Sequence, residues 1–295
     1  MLAVIPNRKI YLTISAILVV VSILPVLFWG LKFGIDFTGG SQWEIEFKDT
    51  RPANEDVLKS LSFYKLESSV LQPTGDKGLI LKFRSVNENT HEAMKRDLND
   101  AFPIEEKKFD SIGPVIGKEL QKKSVKALAY VLVLIVAYIA WAFRKVSKPV
   151  SSWKYGVIAI VALVHDVTIP MGLFAVLGHF YGIEVDAYFV TAILTILGFS
   201  VHDTIVVFDR IRENLRKNPA ENFSTTINNS VNQTLARSIN TSFTVFLVLL
   251  ASYFLGGAST KNLSLVLLIG VFFGTYSSIF LASPILSLWA GSKHK

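Results

Sequence analysis

Apolar residues along this chain gather into six long runs, at about 10–30, 125–143, 155–178, 187–208, 239–256 and 263–289. At about 1.5 Å per helical residue, each run is long enough to cross a hydrocarbon core of about 30 Å. The one long polar stretch, 31–124, lies between the first two runs and has a different period. Ser41 to Phe47 (SQWEIEF) alternates apolar and polar residues, as a half-buried strand does. Asn54 to Phe63 puts Val57, Leu58, Leu61 and Phe63 at helical spacing, with Asn54 as its candidate N-cap. Leu66 to Leu71 and Gly78 to Phe83 read as strands joined by a Pro-Thr-Gly-Asp-Lys turn. Asn87 to Phe102 reads as a second helix, with Met94, Leu98 and Phe102 on its apolar face, and Ile104 to Ile112 as a last strand. The order βαββαβ predicts a ferredoxin-like α+β domain, an antiparallel sheet with helices on one face. The expected organisation is a first transmembrane helix within 1–30, the soluble domain over 31–124, and five further transmembrane helices over 125–295.

Composition narrows the class. Apolar residues make up 51% of the chain, too many for an ordinary soluble domain of this length. There is no cysteine, which excludes a disulfide framework and any thiolate metal site. No metal, no cofactor and no nucleic-acid partner is expected. The first apolar run is too long for a signal-peptide core and no A-x-A-type site follows it, so it is expected to be a retained helix. The net charge of +7 speaks first about topology. Arg8 and Lys9 precede the first run; Arg144, Lys145, Lys148 and Lys154 lie between the second and third; Arg210, Arg212, Arg216, Lys217 and Arg237 lie between the fourth and fifth; Lys293 and Lys295 end the chain. The opposite connections carry Glu184 and Asp186 in one case and only Lys261 in the other. The positive-inside rule then places both termini in the cytoplasm and the 31–124 domain outside.

Four features stand out as candidate chemistry. The stretch Gly198 to Arg216 (GFSVHDTIVVFDRIRENLR) sets His202 and Asp203 inside apolar sequence. An intramembrane carboxylate usually marks an ion path, a proton relay or a pairing partner. The competing reading, that Asp203 merely caps the span, is weakened by Ile205, Val206, Val207 and Phe208 after it. His165 and Asp166 sit near the centre of the third run, followed by Pro170 and Gly172 as helix breakers, which suggests a polar path through the bundle. Gly270, Gly274, Ser278 and Ala282 form a four-residue stripe in the sixth run that would let two helix backbones approach closely. Gly34 to Gly40 (GIDFTGG), with Asp36 and Gly39, reads as a tight exit from the first helix into the first strand; no P-loop Lys-Ser/Thr follows it.

The segment of about 209–237 is expected to be a cytoplasmic loop holding a short amphipathic helix. Asn218, Pro219 and Glu221 would start it, and Ile227, Val231 and Leu235 would lie on the membrane interface. It would deliver Arg237 to the start of the fifth span; on composition alone, Arg237 reads equally well as a snorkelling anchor.

Taken together, GIDFTGG, GFSVHDTIVVFDRIRENLR, NQTLARSINTS and GTYSSIFLASP resemble the SecF family, the smaller membrane subunits of bacterial SecD–SecF complexes in the resistance-nodulation-division superfamily. The resemblance runs over essentially the whole chain. It implies a six-helix half that needs SecD for the other half. It implies assistance to late-stage protein export through SecYEG after SecA has acted on the preprotein, powered by the proton-motive force in the bacterial cytoplasmic membrane. YajC and YidC are further candidate partners. The family's intramembrane carboxylate falls on Asp203 and its arginine on Arg237. Where many relatives have an asparagine before that aspartate, this chain has His202. Asp166 is added to the relay by its position alone. Protons would be the coupling ion, with no catalytic residue. Two other functions compete with this one. An intramembrane aspartyl protease would use Asp166 and Asp203 as a dyad, but Ser200-Val201-His202 stands where such enzymes have Gly-x-Gly. A proton-coupled small-molecule exporter half would need a much larger outward domain.

Overall fold

The computed structural model describes residues 2–66, 69–144 and 151–291. Four of the charges used for topology, Lys145, Lys148, Lys293 and Lys295, lie outside the described residues. The chain divides into two compact units, one of residues 1–32 with 126–295 and one of residues 33–125. In chain order, α1 (Arg8–Trp29) leads through a single turn, α2 (Ile35–Thr38), into β1 (Gly40–Phe47), α3 (Asn54–Ser60), β2 (Val70–Thr74), β3 (Gly78–Phe83), α4 (Glu88–Ala101) and β4 (Ile104–Ile112). Then follow α5 (Pro114–Ala142), α6 (Ser152–Tyr181), α7 (Ala187–Lys217), α8 (Phe223–Leu255), α9 (Ala258–Ser277) and α10 (Ser283–Gly291), with a π-helical turn, Ser278–Ala282, joining the last two.

In the 33–125 unit the sheet order is β2-β3-β1-β4, with every pairing antiparallel, the ferredoxin-like arrangement predicted from the pattern. Trp43, Ile45 and Phe47 of β1 and Leu79, Leu81 and Phe83 of β3 alternate onto one face. They meet Val57 and Leu61 from the α3 segment and Met94 and Leu98 from α4 in one core. Asn87 caps α4, its Oδ1 accepting from the Thr90 N–H at 2.9 Å. Three details differ from expectation. The cap of α3 is Ala53 and Asn54 lies inside the helix, because the chain turns one residue earlier. Phe63 is 86% exposed, since the helix ends at Ser60 and gives way to a tighter turn that points it outward. β2 begins at Val70 and takes in Pro73 and Thr74, so the turn shrinks to residues 75–77; residues 67–68 lie outside the described ones. Pro73 is tolerated because β2 is an edge strand.

One polar knot is built into this core. Glu106 on β4 accepts from Trp43 Nε1 (2.7 Å) and Lys95 Nζ (3.0 Å), and lies 2.8 Å from His91 Nε2. The His91 ring stacks on Phe109 at 3.6 Å between centroids. Burial opposes ionisation of Glu106, but the hydrogen bonds from Lys95, His91 and Trp43 outweigh it and hold the carboxyl below its usual range.

The other unit is the membrane bundle: among the described residues, six helices are long and apolar enough to span a bilayer, with α9, the π turn and α10 counting as one. α6, α7 and α9 bury much of their length, whereas α1, α5 and α8 stay largely uncovered and show Leu27, Phe28, Val133, Leu134, Phe243 and Val248 outward. Apolar side chains cost nothing against lipid, so an uncovered face is permitted here. The sixth span keeps going through Pro284 because the π turn before it absorbs the missing N–H.

Four expectations for this unit need correction. α7 runs on to Lys217 and α8 starts at Phe223, so only a few residues separate them where a loop over 209–237 was expected. The N-cap of α8 is Asn222, accepting from the Ser224 N–H, and not Asn218. Ile227 and Val231 are fully buried in the bundle core with Leu235 packed beside them, so this apolar face points inward and not at a membrane surface. The polar residues around it are used: Asn228 and Asn232 hydrogen-bond the backbone of Leu2 and Ile5, while Ser230 and Gln233 take the Asn214 side chain of α7. Finally, Pro170 and Gly172 do not break α6. Gly172 is where α1 crosses: a Cβ there would stand 2.4 Å from the Ser22 carbonyl oxygen.

Two predictions follow from this packing. Gly172→Leu should force α1 off α6 and destabilise the detergent-solubilised protein by about 1–3 kcal/mol. Gly156→Ala on the same helix, where a Cβ meets nothing closer than 3.8 Å, should be neutral or slightly stabilising; thermal unfolding of both variants checks this. In the 33–125 unit, the depressed Glu106 carboxyl contributes stability that is present above its unfolded value and is lost as pH falls through its folded value. Glu106→Gln should remove that acid sensitivity and weaken the domain by about 2 kcal/mol, read by amide hydrogen exchange of β1 and β4 against pH.

Candidate functional site: two serine-bound carboxylates

Both intramembrane carboxylates are buried, Asp166 completely and Asp203 with 7% exposure. Hydrocarbon offers no donor to a carboxylate, so the bundle must supply them. For Asp203 on α7 the donors are Ser238 Oγ of α8, at 2.5 Å, and Ser278 Oγ at the start of the π turn. For Asp166 on α6 they are Ser200 Oγ of α7 (2.5 Å) and Ser277 Oγ of α9 (2.7 Å), with His165 Nδ1 at 2.8 Å. Each carboxylate thereby ties three elements together. The two sets are neighbours: Ser277 and Ser278 are consecutive, and Ser200 and Asp203 lie one turn apart on α7. No hydrogen bond joins the two carboxyl groups among the described residues, and no donor is shared, so they do not form the proton-sharing dyad of an aspartyl protease.

The small-residue stripe explains how the helices come close enough. A Cβ on Gly270 would fall 2.1 Å from Ile196 Cδ1, and one on Gly274 would fall 3.2 Å from Ser200 Cβ. Ser278, one step further, reaches Asp203. The partner of the stripe is therefore α7 of the same chain, in register Gly270–Ile196, Gly274–Ser200, Ser278–Asp203. Ala282 continues the stripe, fully buried in the π turn.

Arg237 and His202 lie outside this hydrogen-bonded set, though near enough for charge on them to act on Asp203. Both are exposed on this chain, and no ion pair joins Arg237 to Asp203 among the described residues. Ser238, the residue after Arg237, occupies the aspartate in its place. Consecutive helical residues are about 100° apart, so Arg237 lies one step round α8 from the contact. The sequence marks the two aspartates but not Ser200, Ser238, Ser277 or Ser278 as their donors, Ser278 being expected only to pack helices. The available signal was a set of hydroxyls inside apolar runs, each needing a partner there.

The GIDFTGG segment belongs to the 33–125 unit. Gly34 precedes α2, and Thr38 Oγ1 donates back to the Gly34 carbonyl at 3.0 Å. Asp36 lies in the first turn of α2. Gly39 has φ +79°, and a Cβ there would lie 2.7 Å from Pro114 Cα; Gly40 opens β1. The segment thus packs against the first turn of α5, joining the chain where it enters the domain to where it leaves.

Known proteins resemble this chain in sequence and fold. Residues 91–292 match the family described as protein export membrane protein SecD/SecF, C-terminal, and residues 30–50 match the SecD/SecF GG motif. Protein translocase subunit SecF of Thermobaculum terrenum is 43% identical over 98% of this chain and 94% of its own length. That of Anaerolinea thermophila is 37% identical over 98% and 94%. The crystal structure of SecDF from Thermus thermophilus, a translocon-associated membrane protein, superposes with a TM-score of 0.83 at 29% identity. The match covers 98% of this chain and 39% of that longer one. The six apolar helices, the ferredoxin-like domain between the first two and these matches together show that the chain belongs to the SecD/SecF family of protein export membrane proteins, as a multi-pass SecF protein translocase subunit.

Proposed function

We propose that this subunit pairs with a SecD-type chain and converts proton flow into work on preproteins leaving SecYEG late in translocation. The observation that carries the reading is the buried Asp203 carboxylate, which is hydrogen-bonded to α8 and to the π turn through two serine hydroxyls. An ionised carboxylate only accepts hydrogen bonds, so Ser238 and Ser278 can both donate to it. A protonated one carries a donor of its own, and one of the two serines must then turn away or accept. Each proton therefore rewrites a contact between helices. A rotation of α8 by one position exchanges Ser238 for Arg237, which gives the ionised aspartate a cationic partner.

The energies suffice. One proton falling through about 100 mV releases roughly 2.3 kcal/mol, and each unit of pH gradient adds about 1.4 kcal/mol. A few kcal/mol moves a near-balanced two-state equilibrium decisively. Supporting the SecD pairing, this chain spans 39% of the SecDF relative and would leave the second helical half to a partner. Exposed His202 and Arg237 would face that partner, since lipid is a poor neighbour for either. The charge pattern supports placement in the bacterial cytoplasmic membrane with both termini cytoplasmic. SecA-dependent preproteins are the proposed clients, with YajC and YidC as further partners and protons as the coupling ion.

The test is preprotein export in inverted vesicles with the SecD subunit present. Asp203→Asn preserves a hydrogen-bonding side chain of the same shape but cannot titrate. It should insert and bind its partner normally while losing the gradient-dependent part of export. Ser278→Ala removes one of two links and should cost about 1 kcal/mol, roughly a fivefold drop. Wild-type export by Asp203→Asn under a gradient would refute the proposal.

A further inference from the structure

The polar knot of the 33–125 unit has an open side. Glu88, His91 and Glu92 read E-x-x-H-E along the start of α4. Residues three and four apart share one helix face. His91 is 2% exposed, whereas both glutamates are exposed. One ligand atom from each, an imidazole nitrogen and two carboxylate oxygens, lies within 4.8 Å of the other two. The ring is held from behind: Phe109 stacks on it at 3.6 Å, Trp43 lies edge-on at 5.4 Å, and Nε2 is 2.8 Å from Glu106 Oε2. The Glu106 carboxyl is held below its usual range and, once ionised, only accepts hydrogen bonds, so the imidazole proton belongs on Nε2. In the neutral ring, Nδ1 then presents a lone pair to Glu88 Oε1, 3.5 Å away, with Glu92 beside it. Three acceptors converge, and what they lack is a cation. Lys95, on the same helix, goes to Glu106 at 3.0 Å; among the described residues Glu92 has no ion pair and Glu88 has only His91.

We propose that Glu88, His91 and Glu92 form a divalent metal site suited to Zn²⁺. An imidazole with two carboxylates favours Zn²⁺ over Mg²⁺, and three protein ligands leave a fourth tetrahedral position to water. The absence of cysteine excludes thiolate ligation only, and this set uses none. Bonds of about 2.0–2.2 Å to a tetrahedral ion place neighbouring ligand atoms about 3.4 Å apart. The Glu88–His91 pair already stands at 3.5 Å, and the two exposed carboxylates are free to swing the remaining distance. Behind the ring, the contact with Glu106 is the one a metal-bound histidine makes when it gives its other N–H to a carboxylate, which fixes the tautomer and strengthens the ligand. Glu106 is thus a positioning residue. A bound ion would tie the first two turns of α4 through His91 and Glu106 to β4, and through Trp43 to β1. None of these residues takes part in the Asp203 links, so the site is independent of the proton-driven reading.

The test uses the untagged full-length protein in detergent, titrated with Zn²⁺ at neutral pH by calorimetry, with excess Mg²⁺ as competitor. One saturable Zn²⁺ site per chain is expected, unaffected by Mg²⁺. Glu106→Gln should lower the affinity by about 10- to 100-fold in samples whose fold is verified by circular dichroism. A purely structural Glu106 would change stability and leave the affinity of the folded protein alone. Glu88→Gln with Glu92→Gln alters only exposed side chains and should cost at least as much affinity, because an amide is a poorer ligand than a carboxylate. With Zn²⁺ at ten times its Kd, amide protection in α4 should rise about tenfold. Lack of saturable binding would overturn the proposal and assign the place beside Nδ1 to a second proton. Wild-type affinity in either variant would also overturn it, placing the ion on other groups such as the exposed His179 or His202.

Discussion

A carboxyl group inside hydrocarbon has no water to turn to, and much of this bundle is arranged around that constraint. Asp166 and Asp203 each need donors from other helices, and in both cases the donors are serines. Serine is short. It can reach a carboxylate only if the helix backbones nearly touch, which is why Gly270 and Gly274 lie where α9 meets α7. The stripe and the acids are one feature: the glycines set the distance and the serines use it. Without the acids, lipid would give little reason for such close contact, because apolar side chains are as well placed against acyl chains as against each other.

Serine partners also shape what the site can do. A buried arginine–aspartate pair is strong, and breaking it by removing one partner is very costly. Two neutral hydroxyls give a softer link, one that in the proposed cycle a single proton would rearrange. The π turn beginning at Ser278 adds to this, since its looser hydrogen bonding lies directly beside the Asp203 contact. The arginine is kept one helical position away, on the exposed side of α8. A site poised to change partners is better served by this arrangement than by a permanent ion pair.

Much of the architecture was legible because its signals are local. Six apolar runs mark six spans, and period-two alternation places β1 to within a residue. The two aspartates were visible because charge in an apolar run is rare. Their donors were not, because a serine in a membrane helix carries no mark of the residue it will face. The reading of 209–237 failed for a related reason. An amphipathic stretch rich in Asn, Ser and Thr looks the same whether its apolar side meets lipid or protein, and here Asn228 and Asn232 are spent on the N-terminal segment while Ile227 and Val231 enter the core. Pro170 and Gly172 were read as breakers, but lack of a side chain served α1 at Gly172 without disturbing α6.

Placing two acids in adjoining serine cages has a consequence for how motion spreads. Ser277 and Ser278 are bonded neighbours at the junction of α9 and the π turn, so neither acid can change its hold without straining the other's. α7 contributes Ser200 to one cage and Asp203 to the other, three residues apart on a rigid helix. A change at either acid would therefore be felt across α6, α7, α8 and α9 through covalent and hydrogen-bonded connections of one or two residues. A packed interior responds to such a change by switching between arrangements and not by gradual bending. In the proposed proton-driven cycle, that discreteness would turn single protons into steps.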